Sequence, residues 1–377
     1  MKKTVFIHDT VFIKKGDKYY AKDGLDNEVF IEYSQNFGDI TVMARYEEYN
    51  ENNSVYIKDE NEIKNVIFLC EDSFYKVIKN IKNKIKDYDF CILRVHSFIS
   101  TVAFLYLKKF RIPYLVESVS CAWDCLWYHS LKGKIIAPVL FLLTRLIVYN
   151  SKYVLYVSDF LLKRYKHNKY AMKIICSDVR LINYDYNQFL NYYDSNKIYN
   201  LCTIANSDVK YKGHEYVIKA IADLKKESIL FNYYLIGGGS GRRLKKLAQK
   251  YNVEDRIFFV GPIPHSKIFD YLKENIGIYI QPSNAESHGR VILEAESLGI
   301  PVIGSSTGGI PEIVNNKYIF KRKKYKDLKN KMKCIINENE VLNQSNWSFE
   351  NSKKFNKKVL SDKRCSFYKN IFNDLYK

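Results

Sequence analysis

The chain has 377 residues, 47% hydrophobic and 15% aromatic, which excludes a disordered protein and exceeds one typical domain. Its 60 Lys and Arg against 41 Asp and Glu leave a formal charge of +19, which calls for an anionic partner: nucleic acid, an anionic membrane face or an anionic substrate. Nucleic acid is set aside, because the charge is scattered, as in 79–86 and 321–324, with no zinc-finger, helix-turn-helix or RNP-type pattern beside it. Of the eight cysteines only Cys121 and Cys125 are closely spaced, and no second pair or histidine tract completes a zinc site; this usage points to a reducing compartment. Met1-Lys2-Lys3 leads straight into a strand-like run, so a signal peptide is not expected and the protein is expected in the cytoplasm.

In chain order, short β-rich runs alternate with longer helical stretches. Strands are predicted over Thr4–Ile7, Asp39–Ala44, Asn65–Leu69, Phe90–Val95, Pro113–Glu117 and Tyr153–Val157. This alternation predicts an α/β fold with a parallel, doubly wound sheet, where ligands bind beyond the carboxyl ends of the strands. The residues there are His8 and Asp9, then 18–21 and Gly24; Arg94 and His96; and, further on, Trp123 and Asp124. Asp87-Tyr88-Asp89 reads as a helix-to-strand turn. Ile135–Tyr149 is too short, and too interrupted by Pro138 and Arg145, to span a membrane. Two readings stay open for it: a buried helix of the first domain, or a helix lying on an anionic bilayer face with Lys132 and Lys134 at its start. Leu181–Tyr199, rich in Asn, Asp and Tyr, reads as the interdomain linker. The expected organisation is a first domain over 1–185, a linker over 186–200, a second domain over 201–345 and a helical tail over 346–377.

The second half opens with a strand, Leu201–Ala205, followed by Asn206 to His214 and a helix carrying Val217, Ile218, Ile221 and Leu224. Tyr233–Ile236 ends in Gly237-Gly238-Gly239, a turn without the G-x-G-x-x-G context of a dinucleotide fingerprint. Arg256–Val260 is the next strand and His265–Leu272 the next helix. Then comes GIYIQPSNAESHGRVILEAESLGIPVIGSSTGGIPEIV, from Gly277 to Val314. A strand over Ile278–Ile280 precedes a helix with Ser287 as N-cap and Val291, Ile292, Ala295 and Leu298 on its buried stripe. Gly299 and Pro301 close that helix, Pro301–Gly304 is a further strand, and Pro311 begins another helix. Glu294 falls on the buried stripe, where a carboxylate is costly unless hydrogen-bonded, whereas Glu296 falls on the opposite, wet face. Glu286 lies eight residues before Glu294, at most about 12 Å away by helical rise. A helix N-terminus between two carboxylates suits a ligand with hydroxyls at both ends and a phosphate between, the shape of a nucleotide sugar.

Glu286 and Glu294 form an E-x7-E pair inside E-S-H-G-R-V-I-L-E-A, followed by G-I-P-V-I and T-G-G-I-P-E-I-V. This stretch resembles the signature of retaining GT-B glycosyltransferases of the glycosyltransferase 4 family (glycosyl transferases group 1). The first half resembles one branch of that family: Tyr19-Tyr20 before Gly24-Leu25, Arg94 before Ser97, Val116-Glu117 before Trp123-Asp124, and the run from Tyr156 to Tyr165. The resemblance implies two doubly wound Rossmann-like domains facing a central cleft, with the tail crossing back to the first. It implies a nucleotide-diphosphate sugar as donor, UDP or GDP, a glycan or lipid-linked glycan as acceptor, and neither cofactor nor metal. By the same resemblance Lys212, together with the amides near Gly289, Arg290 and Val291, would neutralise the departing diphosphate, and Lys210 would partly make up for the arginine missing at Asn206. Glu286 would hold sugar hydroxyls and Glu294 the ribose hydroxyls; Ser287 and His288 would line the donor, and Gly24 would approach its phosphates. His96, Arg94, Trp123 and Asp124 would lie on the acceptor side. Two positions depart from the family pattern. Asn206 stands where an arginine is expected, removing a charge-assisted phosphate contact, and His288 stands where phenylalanine is usual. Two rivals follow: a GT-B-fold sugar-nucleotide epimerase, or a weakened homologue that binds donor without turning it over.

Overall fold

The computed structural model describes residues 3–22, 25–57, 61–128, 130–181 and 199–375. The chain forms two units, Met1–Asp178 with Ser361–Lys377, and Val179–Leu360. The division differs from the expected boundaries: 346–360 stay with the second unit, and only the last two residues of the expected linker lie among the described residues.

The first unit carries strands β1 (Lys3–Lys15), β2 (Lys18–Tyr20), β3 (Asp39–Glu48), β4 (Glu62–Ile63), β5 (Ile67–Phe68), β6 (Phe90–Val95), β7 (Tyr114–Ser118), β8 (Tyr153–Tyr156) and β9 (Met172–Ile175). Its helices are α1 (Asn27–Phe37), α2 (Phe74–Lys84), α3 (Phe98–Phe110), α4 (Ala122–Trp127), α5 (Leu131–Tyr149) and α6 (Asp159–Arg164). The parallel order is β5-β3-β1-β6-β7-β8-β9; β2 pairs antiparallel with the far end of β1, and β4 antiparallel with β2. The first strand outruns its expected end at Ile7: its register against β3 breaks between Ile7 and Val11 and then resumes to Lys14. His8 and Asp9 therefore sit in a bulge within the strand, and Phe12 and Ile13 beyond it are buried. Asp9 accepts from the first-turn amides of α3, Phe98 at 2.6 Å and Ile99 at 2.9 Å, beside the N-cap Ser97. Asp89 accepts from the Lys3 amide at 2.9 Å, which ties the Asp87–Asp89 turn to the start of the sheet.

The second unit carries β10 (Asn200–Ile204), β11 (Asn232–Ile236), β12 (Ile257–Gly261), β13 (Ile278–Gln281), β14 (Val302–Ser305) and β15 (Ile319–Phe320). Its helices are α7 (His214–Lys225), α8 (Arg242–Lys250), α9 (His265–Asn275), α10 (Arg290–Ser297), α11 (Ile310–Ile313), α12 (Tyr325–Ile335) and α13 (Glu338–Ser352). All strand pairs are parallel, in the order β12-β11-β10-β13-β14-β15. From β10 the chain moves outward through β11 and β12, then returns to start β13 on the other side of β10. The loops after β10 and β13 consequently leave the sheet side by side, at its topological switch point. Apolar clusters cover both faces of this sheet, and Val217, Ile218, Ile221 and Leu224 of α7 are buried as their spacing predicts.

The last helix, α14 (Lys357–Leu375), starts in the second unit and ends in the first. Within the first unit, Arg364 donates from Nε to Glu32 Oε2 at 2.9 Å and from Nη1 to the Ser177 carbonyl at 2.6 Å. Tyr368 donates to Glu117 Oε1 at 3.0 Å, and Asp374 accepts from Tyr153 at 2.6 Å. Removing one member of a buried pair leaves the other charge desolvated, so Arg364→Ala is expected to destabilise the first unit by about 3 kcal/mol. A denaturant melt of the variant checks this; an unchanged midpoint would show that the pair contributes nothing.

Candidate functional site

The site is assembled from the two loops at the switch point of the second sheet. After β10, Asn206 accepts from the Asp208 amide at 2.9 Å, and the chain then forms a 3-10 turn, Lys210–Lys212. Gly213 ends that turn at φ +75°, where a Cβ would come within 2.0 Å of the Pro282 carbonyl oxygen. Only glycine allows so close an approach, and it brings Lys212 onto the loop after β13. The Asn284 amide donates to the Tyr211 carbonyl at 2.6 Å and joins the two loops.

Lys212 Nζ lies 3.1 Å from Glu286 Oε2, both side chains being half-buried. Gln281 Nε2 donates to the same oxygen at 3.3 Å, and Gln281 is itself oriented by Tyr279, which donates to its Oε1 at 2.6 Å. The turn after β14 supports Glu286 from behind: the Gly309 amide donates to the Glu286 carbonyl at 3.2 Å, and a Cβ on Gly308 would lie 1.6 Å from that oxygen. Gln281, Asn284, Gly213 and Gly308 carry no chemistry of their own, and sequence reading did not place them at the site. The glycine spacing around Lys212 and in Thr307-Gly308-Gly309 was the available signal.

The helix after this loop begins two residues later than the sequence suggested. Ser287 is not its N-cap; Gly289, at φ +80°, takes that position without a side-chain cap, and Arg290 and Val291 form the first turn. Because 286–289 is loop, the helical-rise separation of Glu286 and Glu294 does not apply. Glu294 is half-buried and its Oε1 lies 3.5 Å from His265 Nε2 at the start of α9. His288 is buried, with its ring centroid 6.2 Å from that of Phe355.

Glu296 corrects the expected wet face. It is fully buried, because α10 is covered by α13 as well as by the sheet, and its Oε2 accepts from Asn351 Nδ2 at 2.9 Å. Burial pushes its carboxyl well above the usual range, against the opposing pull of the Asn351 bond. Helical periodicity identifies opposite faces but cannot say that a second helix will cover the outer one.

Asn206 is exposed and lies against the glycine turn after β11, where a Cβ on Gly239 would sit 2.7 Å from its Oδ1. Asp208, which sequence reading passed over, accepts from the amides of Ser240 at 2.7 Å and Gly241 at 3.0 Å. The Ser240 amide leads in holding its carboxyl below the usual range. Lys210 is exposed at the start of the 3-10 turn.

Behind the turn, His214 is buried and shares a hydrogen bond with the Tyr233 hydroxyl at 2.8 Å; Tyr233 donates onward to Thr203 at 2.8 Å. Burial, chiefly, lowers the His214 pKa to about 4, with a raising contribution from the Asn206 backbone and lowering ones from Arg243 and Lys212. Between the ordinary histidine value and pH 4 the unfolded chain therefore binds a proton that the folded chain refuses. This stability is present above the ordinary value and is lost as pH falls through that window, by up to about tenfold in the unfolding constant per pH unit. His8, whose pKa burial, Arg94 and His96 lower to about 3, acts in the same direction in the first unit. Melting temperatures recorded against pH are expected to fall on that acid side, and less steeply in His214→Gln; equal slopes would remove His214 from the account.

The remaining expected residues belong to the first unit. Arg94 is buried, its Nη2 3.0 Å from Asp178 Oδ2 and its Nη1 3.6 Å from Glu117 Oε2. His96 is half-buried and its Nδ1 lies 2.8 Å from Ser120 Oγ; burial keeps it below the ordinary histidine value while Asp9 pulls the other way. Trp123 stacks on Trp127 with centroids 4.8 Å apart, and Asp124 follows it in α4. Gly24 lies outside the described residues.

Comparison with known proteins bears on the family and the fold. The model of the family "Glycosyl transferases group 1" matches residues 191–355. Protein CapJ of Staphylococcus aureus is 32% identical over 394 aligned residues, covering 99% of this chain and 97% of CapJ. The putative colanic acid biosynthesis glycosyltransferase WcaL of Escherichia coli is 31% identical over 110 residues, 27% of each chain. Among solved structures, Anabaena HepE in complex with UDP superposes with a TM-score of 0.68 at 12% identity, over 97% of this chain and 99% of that one. The fold is GT-B, and the chain belongs to the glycosyl transferases group 1.

Proposed function

We propose that this glycosyltransferase is a retaining, metal-independent enzyme of the glycosyltransferase 4 type that uses a nucleotide-diphosphate sugar. The single observation that carries the reading is the Lys212–Glu286 pair, at 3.1 Å, beside the N-terminus of α10 at the sheet's switch point. It sets a cation, a hydroxyl-binding carboxylate and a helix N-terminus side by side, where a sugar diphosphate needs them. In the reaction the anomeric C–O bond to the diphosphate breaks and its electrons leave with the phosphate. The acceptor hydroxyl attacks on the same face and passes its proton to the departing phosphate oxygen, so that the new glycosidic C–O bond and a protonated diphosphate are formed. Lys212, with Lys210 and the amides of Gly289, Arg290 and Val291, would stabilise the growing negative charge. Glu286 would hold sugar hydroxyls and Glu294 the ribose, with Ser287 and His288 lining the donor and Asn206 by its diphosphate.

UDP is the favoured nucleotide, since HepE was crystallised with it, and GDP is the alternative. The proposed acceptor is a glycan or lipid-linked glycan in cell-surface polysaccharide synthesis, in keeping with the name of WcaL. His96, Trp123 and Asp124 would meet it, with Arg94 holding the strand end that carries His96, and Gly24 would approach the donor phosphates. The test is nucleotide release from a panel of UDP- and GDP-sugars, with and without glycan and lipid-linked acceptors, and the anomeric configuration of the product by NMR. Acceptor-dependent release with retained configuration is expected. Epimerised nucleotide sugar without acceptor would favour an epimerase, and donor binding without turnover a binding-only protein.

A further inference from the structure

We infer that the outer face of α5, with the adjoining side of α3, docks on an anionic lipid bilayer. The inner face of α5 is built into the first unit: Ala137, Leu140, Thr144, Ile147 and Val148 are buried. Its outer face is just as apolar yet uncovered. Leu131 is 80%, Ile135 77% and Leu142 61% exposed, and Val139 and Leu146 continue the same stripe. These positions recur at intervals of three and four, so they form one line along the helix. Phe98, Leu105 and Phe110 of α3 add further exposed apolar surface. Scattered exposed apolar residues are ordinary, but a continuous stripe on one helix marks a surface that something covers.

Charge selects the occupant. Neither α3 nor α5 contains an Asp or Glu, while Lys108 and Lys109 close α3, and Lys132, Lys134 and Arg145 lie on α5. Lys134 Nζ lies 6.0 Å from the Trp127 ring centroid and the Arg145 guanidinium 5.9 Å from that of Phe141. Both residues are exposed and carry their charged heads over aromatic rings at the surface, within reach of lipid phosphates at the headgroup level of a bilayer. A second copy of the chain seated on this face would set these cations against cations, with no carboxylate on either helix to pair them. Lipid phosphates supply the missing charge and acyl chains the missing apolar cover. No helix among the described residues is long and apolar enough to cross a membrane, and α5 has its inner face committed to the core. It would lie in the plane of the interface with its stripe at the headgroup–acyl boundary. The inference stands without the donor reading, and it deepens that reading by placing the acceptor at a bilayer surface.

Cosedimentation of the full chain with vesicles tests it, using phosphatidylcholine alone and an equimolar mixture with phosphatidylglycerol. The wild type is expected to bind the mixed vesicles and to retain part of that binding at high salt. The triple variant Val139→Asp, Leu142→Asp, Leu146→Asp is expected to lose binding by about tenfold or more, with an unchanged melting temperature. Lys132→Gln, Lys134→Gln and Arg145→Gln together are expected to weaken binding to the mixed vesicles on the order of a hundredfold. No binding by the wild type would overturn the inference. So would wild-type binding by the Asp variant, which would reduce the effect to bulk positive charge. So would a wild-type dimer that the Asp variant converts to monomer in analytical ultracentrifugation, which would make a second copy the occupant. Because sedimentation needs no donor, failure here leaves the nucleotide-release test untouched, and the reverse holds as well.

Discussion

Lys212→Ala is expected to reduce kcat on the order of a thousandfold while changing the donor KM far less. A cation acting on the leaving diphosphate contributes most when charge has accumulated there, which happens in the transition state. The position has no strong substitute: Asn206, where the family pattern has an arginine, is uncharged, and Lys210 lies exposed at the other end of the 3-10 turn. The variant should stay folded, because Glu286 is only half-buried and keeps its bond from Gln281. Steady-state kinetics with a saturating acceptor, beside a thermal melt, separates the effects. A kcat within a few fold of wild type, in folded protein, would remove Lys212 from the chemistry. A double-mutant cycle with Glu286→Gln would then measure how far the pair acts as a unit.

Glu294→Ala is expected to act on the other kinetic constant. A half-buried carboxylate that holds ribose hydroxyls binds ground state and transition state alike, so its loss should raise the donor KM and the Kd for UDP by about ten- to a hundredfold. Glu296 supplies the control, since it lies two residues along the same helix and is fully buried against Asn351. Glu296→Gln should move the melting temperature and leave UDP affinity alone. Calorimetric titration of both variants with UDP decides the matter. Equal affinities in Glu294→Ala and wild type would show that this carboxylate does not touch the nucleotide.

Much of this architecture is legible along the chain. The alternation of apolar runs and helical stripes locates the central strands of both sheets, because a buried parallel strand needs a short unbroken apolar run; the short edge strands β2, β4, β9 and β15 carry too few apolar residues to stand out. The motif around Glu286 and Glu294 is local in sequence and singles out the site region. Three features escaped for identifiable reasons. The first strand continues past Ile7 because its bulge at His8–Thr10 interrupts the pattern that marks a strand. The N-cap falls on Gly289 because a left-handed backbone competes with serine there. Glu296 is buried because a helix from much later in the chain covers it.

The α/β class, the alternation of strands and helices, the candidate carboxylates and the lysine can all be read along the chain, since each depends on short-range periodicity or a contiguous motif. That Lys212 meets Glu286, 74 positions away, follows from the folded loops, through the close approach that Gly213 permits over Pro282. Packing in three dimensions likewise settles which apolar face of α5 is covered and which is bare. Partner choice across such distances depends on strand order in the sheet, which no single stretch of residues encodes.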